Sequence, residues 1–314
     1  MAEITATMVK DLREKTGAGM MDCKKALTET QGDFAAAEDW LRKKGAVKAA
    51  SKGARVAAEG LIGLEVAGTV AALVELNCET DFVAKNPDFQ ALLKKLTTHV
   101  IKAAPTHVRV EDGPAGDGGT ALLEQTLEGK KVKDLLTEAV AKIGENISVR
   151  RFARFDGVVG AYLHANNRVA SLVELTTAGS GDDVNGLAKE LALQVTGAKP
   201  QWVQREEVPA AALDREKAIF KDELLAAKKP EAIWEKIITG KLEKFYSDNC
   251  LVDQVWIKDD KKKMKQVIAE TAKKVGKDIA VKRLVRFEVG EGIEKKKDDL
   301  AAEVAKTIGE TAKP

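Results

Sequence analysis

LLTEAVAKIGENISVRRFARF, residues 135–155, returns 132 positions later as VIAETAKKVGKDIAVKRLVRF, residues 267–287. Each copy carries apolar residues at helical spacing up to a glycine, then runs into a strand in which apolar and polar residues alternate. Upstream, VAALVEL at 70–76 returns as VASLVEL at 169–175, an offset of 99. Phe89, Leu92, Leu93, Leu96, Val100 and Pro105 align with Val184, Leu187, Ala188, Leu191, Val195 and Pro200 at an offset of 95. Each copy therefore reads strand, strand, helix, helix, strand. That order predicts an α+β fold of two related units, each a small antiparallel sheet covered by helices.

The shifts of offset locate two insertions. Between Leu76 and Phe89 the first copy has twelve residues, against eight between Leu175 and Val184 in the second. Between Pro200 and Lys262 the second copy has 37 extra residues. Insertions on a duplicated scaffold fall in surface connections, where function is disproportionately placed. The longer insertion breaks at Lys229-Pro230 into two helical stripes, Leu213, Phe220, Leu224 and Ala227, then Trp234, Ile238, Leu242 and Phe245. It reads as an antiparallel helical hairpin at about 205–250, with Pro209 and Pro230 suited to first helical turns. Its apolar stripes either pack on the body of the same chain or drive self-association into a homodimer.

The first 45 residues read as three short helices. Met8, Val9 and Leu12 share a face before Gly17; Met20, Met21, Cys23, Ala26 and Leu27 form a second stripe. Asp33 suits an N-cap for a third helix, where Phe34, Ala37, Trp40 and Leu41 recur before Gly45. The division expected is a three-helix module at 1–45, a helical linker at 46–58, a first core subdomain at 59–155 and a second at 156–287. A C-terminal helical module at 288–314 completes it, with a short amphipathic helix around Leu300, Val304 and Ile308.

Composition sets the class. Over 314 residues, 44% apolar and 32% charged residues fit folded globular domains. The longest apolar run, Leu61 to Cys78, is interrupted by Glu65 and Glu75, and no membrane span is expected. The N-terminus lacks a basic segment followed by an apolar one, so no secretory signal is read and a cytoplasmic location is expected. Cys23, Cys78 and Cys250 are odd in number and widely spaced, which suits reduced thiols. A net charge of +2 provides no whole-molecule polycation. Basic runs at 43–55 and 258–287 leave an RNA- or ribosome-binding protein as the alternative reading, with solvated helix faces as the plain one.

Catalytic constellations do not stand out. The Gly-Lys pairs at 129, 240 and 276 lack a following Ser or Thr, so no phosphate-cradling loop is read. The pairs Gly60/Gly63 and Gly157/Gly160 are read as strand starts. His99, His107 and His164 have no metal-ligand spacing, and no metal, no cofactor and no enzymatic activity are expected. A binding protein is the better default.

The four-residue excess falls in NCETDFVAKNPD, 77–88. Asn86-Pro87 suits the N-cap and first position of a helix, leaving Thr80, Asp81, Phe82 and Val83 on the connection ahead of it. Phe82 either folds back as a hydrophobic staple or stands out as an interface anchor. The sister loop TTAGSGDD carries no aromatic, so the scaffold does not require one.

The segment TDFVAKN resembles a signature of the elongation factor Ts family, and TGAGMMDCKKAL at 16–27 is similar to its other signature. IGENISVRRF (143–152) and RFEVGEGIEKK (286–296) also look like family blocks, so the resemblance covers essentially the whole chain. It implies an N-terminal module similar to ubiquitin-associated domains, a core of two related subdomains with an inserted hairpin, and a C-terminal helical module. The implied activity is guanine-nucleotide exchange on elongation factor Tu, without covalent chemistry and without direct nucleic-acid binding. The family's Phe enters a pocket of the GTPase domain and its neighbouring Asp contacts the same region, disturbing the Mg²⁺ and phosphate site. Those roles fall on Asp81 and Phe82, framed by Thr80 and Val83. The N-terminal block places Arg13, Met20, Met21 and Lys24 at the partner, with Lys52, and His164 in GAYLHANNRVA matches a further contact position. The Gly-rich VEDGPAGDGG (110–119) and the Lys-rich KDDKKKMKQ (258–266) depart from the family pattern.

Overall fold

A computed structural model describes residues 4–113 and 120–294. Three helices open the chain: α1 (Ala6–Thr16), α2 (Met20–Glu29) and α3 (Phe34–Lys52). Val9, Leu12, Cys23, Ala26, Leu27 and Ala37 form their common core. Asp33 caps α3 by accepting from the Ala36 amide at 3.0 Å. Two readings are corrected. Met20 and Met21 point outward, because the α2 stripe that meets the core is Cys23, Ala26 and Leu27. Gly45 does not end the third helix, and the segment after it continues α3. A Cβ on Gly45 would lie 3.1 Å from that of Ala141, so glycine there lets two helices approach.

The first unit follows: β1 (Glu59–Ala67), β2 (Val70–Cys78), the one-turn α4 (Asp81–Ala84), α5 (Pro87–Ala103), a two-stranded ribbon β3 (Thr126–Leu127) and β4 (Lys130–Lys131), α6 (Val132–Ile143) and β5 (Ser148–Asp156). The second repeats it: β6 (Val158–Leu163), β7 (Val169–Thr177), α7 (Asp182–Ala198), the hairpin α8 (Ala210–Ala226) and α9 (Trp234–Asn249), the ribbon β8 (Val255–Trp256) and β9 (Asp259–Lys263), α10 (Met264–Val275) and β10 (Ile279–Glu288). The antiparallel sheets run β1-β2-β5 and β6-β7-β10, so the second strand of each copy is central. The fold is α+β.

The two sheets pack face to face. Ile62, Ala71, Leu73 and Phe155 of one meet Ala170, Leu172 and Phe287 of the other. The opposite face of the first sheet, with Val74 and Leu76, is covered by α5 and α6; Val173 and Leu175 are covered by α7 and α10. Four layers result, helix, sheet, sheet, helix, which explains why VAALVEL and VASLVEL are apolar on both faces. The second glycine of each pair, Gly63 and Gly160, serves this packing, while Gly60 and Gly157 take positive φ at the strand starts. A Cβ on Gly160 would stand 1.8 Å from the Ala188 carbonyl oxygen of α7, so close helix–sheet approach, rather than strand initiation, requires glycine there.

The repeated glutamates lie on the inter-sheet face. A β-bulge between Glu75 and Leu76 lets Arg150 and Arg151 both reach Glu75, at 3.1 and 2.6 Å. A bulge at the equivalent place brings Lys282 and Arg283 to Glu174, at 2.7 and 2.6 Å. Arg151 stacks over Phe287 of the other copy at 4.3 Å, and Arg283 over Phe155 at 4.0 Å. The exchange is reciprocal across the seam.

The insertion is the helical hairpin foreseen. Only Leu224 is fully buried along its two helices. It joins the body at its root, where Arg205 bridges Glu243 (2.8 Å) and Asp253 (2.7 Å) and Trp202 meets Phe245. The Gly-rich segment at 114–119 and the C-terminal helix at Leu300, Val304 and Ile308 lie outside the described residues.

Candidate partner-binding surface

The turn after β2 is held by two carboxylates that exchange partners. Glu145 Oε2 accepts from the Glu79 and Thr80 amides, both at 3.0 Å, and its Oε1 accepts from the Thr80 hydroxyl at 2.6 Å. Glu79 in turn accepts from the Asn146 amide at 2.6 Å and pairs with Arg55 at 3.4 Å. Cys78 beneath donates its thiol to the Thr80 carbonyl at 3.1 Å, and burial pushes that thiol up to about 12.

On this base Thr80 caps the single turn of α4, accepting from the Val83 amide at 3.4 Å. Val83 packs against the first core and Ala84 is buried. Asn86 caps α5 as its sequence requires, with Pro87 at the first position. Phe89, in the first turn of α5, is fully buried in the first core. Phe82 points outward, 80% exposed, so its ring is not folded back as a staple. Asp81 beside it accepts from Lys85 at 2.7 Å, and that hydrogen bond holds its carboxyl below the usual range. The Lys85 ammonium stands 5.7 Å from the Phe82 ring centroid. Of the four loop residues, Asp81 and Phe82 are presented to solvent, while Thr80 and Val83 hold the turn.

The N-terminal residues border the same region. Met20 is 51% and Met21 76% exposed, and Arg13 and Lys24 also lie on the surface. Arg13 and Met20 line a groove of about 630 Å³ with Gly17 and Lys142. Lys142 in turn pairs with Asp88 at 2.8 Å, at the start of α5 directly after the Phe82 turn. Lys52 does not stand free; its ammonium donates to the Gly144 carbonyl next to Glu145. His164 is exposed on the β6–β7 turn, where Arg168 pairs with Glu59 at 2.5 Å, and Glu59 lies opposite Cys78 in the sheet register. The His164 turn and the Phe82 turn thus emerge at one end of the first sheet.

Residues the sequence did not single out join these pieces: Glu79, Asp88, Lys142, Glu145 and Asn146. A signal for one existed. Within the repeated block, Gly-Glu-Asn at 144–146 faces Gly-Lys-Asp at 276–278, a charge reversal at a position that is otherwise duplicated.

Many cations of the basic runs are paired with acids. Lys44 and Lys48 both reach Asp22 at 2.6 Å, and Lys258, Lys262, Lys265 and Lys274 pair with Glu190, Glu270, Asp253 and Asp183. Among the described residues no helix is long and apolar enough to cross a membrane.

A duplicated scaffold that holds one aromatic side chain outward on a fixed turn, beside a second module with exposed methionines, defines a protein-binding factor. The family model for elongation factor Ts matches residues 79–291. Elongation factor Ts of Symbiobacterium thermophilum is 47% identical over 320 residues, covering 98% of this chain and 99% of that one. Those of Magnetococcus marinus and Clostridium botulinum are each 43% identical, over 308 and 312 residues, covering 97% and 98% of this chain and 99% of each relative. The chain belongs to the elongation factor Ts family, and so to the translation elongation factors that serve nucleotide exchange.

Proposed function

We propose that this chain promotes GDP release from elongation factor Tu by inserting the Asp81–Phe82 turn into the GTPase, disturbing its Mg²⁺ and phosphate site. The observation that carries this reading is the exposed Phe82 ring on a turn whose backbone is fixed by Glu145. An exchange factor makes and breaks no bond; it binds the GTPase better when nucleotide is absent. By linkage, the factor weakens GDP binding by the ratio in which GDP weakens binding of the factor. Couplings of this kind amount to about 1–3 kcal/mol, and burial of one Phe side chain contributes about 1.5–3 kcal/mol. One inserted ring matches the size of the task. Because the turn is ordered before contact, little of that energy is spent on immobilising it.

Arg13, Met20, Met21 and Lys24 supply a second contact in this reading, and His164 a third. Lys52 contributes by holding the 144–146 turn. The cycle takes GDP-bound elongation factor Tu through a nucleotide-free complex that GTP dissolves, in the cytoplasm. Self-association through the 205–250 hairpin is a separate proposal, supported by the exposed Leu225 and Ile233 near its tip.

The test is release of fluorescent GDP from elongation factor Tu with catalytic amounts of the full chain. Phe82→Ala is expected to slow release at least about tenfold, the loss of one buried aromatic contact, with an unchanged circular dichroism spectrum. Absence of acceleration by folded wild-type protein would end the proposal.

A further inference from the structure

The clamp beneath the Phe82 turn has no counterpart in the sister copy. There the position of Glu145 is taken by Lys277, whose ammonium lies about Gly179 of the β7–α7 connection. That connection closes without a carboxylate clamp and without an aromatic. Both copies still end the preceding helix alike, with Gly144 and Gly276 in left-handed conformation capping α6 and α10. Folding of the scaffold therefore does not call for an acid at this place. The acid occurs in the copy that presents the ring.

Resting on the exchange reading above, we infer that Glu145 is a positioning residue for nucleotide exchange: it fixes the direction in which Phe82 is presented. Its three accepted hydrogen bonds all fall on Glu79 and Thr80, the two residues that launch α4. The Thr80 hydroxyl that donates to Glu145 is the same atom that accepts from the Val83 amide, so one carboxylate orients the cap of the turn carrying Phe82. Glu79 closes the link in the opposite direction through the Asn146 amide, and Asn146 in turn donates to the Arg55 carbonyl at 2.8 Å. Removing the carboxylate leaves two amides and a hydroxyl to water, and the turn loses its single orientation without any change in the ring itself. A displacement of about 1 Å at a positioning group is enough to reduce rate by up to a hundredfold.

The experiment measures fluorescent-GDP release from elongation factor Tu across factor concentrations. It compares wild type, Glu145→Ala, Glu145→Gln, Phe82→Ala and the double variant Phe82→Ala/Glu145→Ala, with a thermal melt of each. Glu145→Ala is expected to lower catalytic efficiency at least about fivefold in the wild-type background and less than about twofold in the Phe82→Ala background, since residues acting as a unit are non-additive. Glu145→Gln, which keeps one acceptor oxygen, is expected to recover part of the loss. Hydrogen exchange of amides 79–86 should quicken in Glu145→Ala while β2 and α5 stay protected; if the alanine variant melts early, the glutamine variant carries the same comparison. Equal loss in both backgrounds, or no loss in the wild-type background, overturns the assignment while exchange activity stands. A wild-type chain that does not accelerate release overturns both.

Discussion

Phe82 and Cys78 stand four residues apart and occupy opposite environments, which makes the turn a study in what a side chain's surroundings do to its chemistry. Phe82 keeps its ring in water, 80% exposed, on a turn whose amides are held by Glu145. Cys78 lies fully buried at the end of β2, where burial, with the nearby Glu145 and Glu59 carboxylates, raises its thiol to about 12. Burial raises Cys250 to about 11 and moves Cys23 in the same direction. A raised value means that the nucleophilic thiolate is scarce at pH 8. The three thiols should therefore resist alkylation by iodoacetamide in native protein and react fully in guanidinium, with mass spectrometry counting the adducts. Rapid native labelling of Cys78 would show that the Phe82 turn opens on its own, against the rigid presentation argued above. The sequence showed that this loop was additional and held an aromatic; it could not show the direction of the ring, because the turn is fixed by Glu145, which is 63 residues further on.

At the scale of elements, the pairing of helix on sheet and of sheet on sheet yields separate expectations. Gly160→Ala places a methyl group against the backbone of α7, which has no flexible side chain to yield, and should cost about 3 kcal/mol. Gly186→Ala on the same helix meets nothing within 4 Å and should stabilise by about 0.5–1 kcal/mol, both read from urea midpoints. Within the second sheet, burial raises Glu174 but the hydrogen bonds from Lys282 and Arg283 outweigh it, leaving its carboxyl below the ordinary value. A depressed folded value means the stabilisation is complete above the unfolded value near 4.3 and lost as pH falls through the folded one. Glu174→Gln should accordingly be about 1–3 kcal/mol less stable at pH 7, with the two proteins converging in acid. Strand and helix identity in both copies was legible because periodicity and repetition are local properties. The stacking of the two sheets was not, since it rests on Arg151 meeting Phe287 and Arg283 meeting Phe155 across more than 100 residues of chain. The continuation of α3 past Gly45 was not legible for a related reason: glycine weakens a helix by itself, and Ala141 on a distant helix makes it the residue that fits.

For the molecule as a whole, the hairpin is an appendage on a core that closes without it. The first copy spans the equivalent gap, from His107 to Ala121, with a short connection, and the bridge between those two residues is matched by Trp202 and Cys250 in the second copy. Among the described residues, the hairpin's ion pairs and ring contacts with the body, Arg205 to Glu243 and Asp253 and Trp202 to Phe245, lie at its root. Farther out, Lys241 pairs with Glu223 and stacks near Phe220, which places residues 223 and 241 side by side across the two helices. Excision of residues 224–240, with Glu223 joined to Lys241 by a short glycine loop, should therefore leave the body intact and shift its melting temperature by no more than about 3 °C, the effect of under 1 kcal/mol in a chain of this size. GDP release should be unchanged by the excision if exchange is carried by the Phe82 end. The removed segment holds Leu225 and Ile233, large apolar residues that are 65% and 41% exposed. If self-association runs through that tip, light scattering should find a dimer of the full chain converted to monomer by the excision; a mass that does not change would assign the exposed pair to a partner other than a second copy.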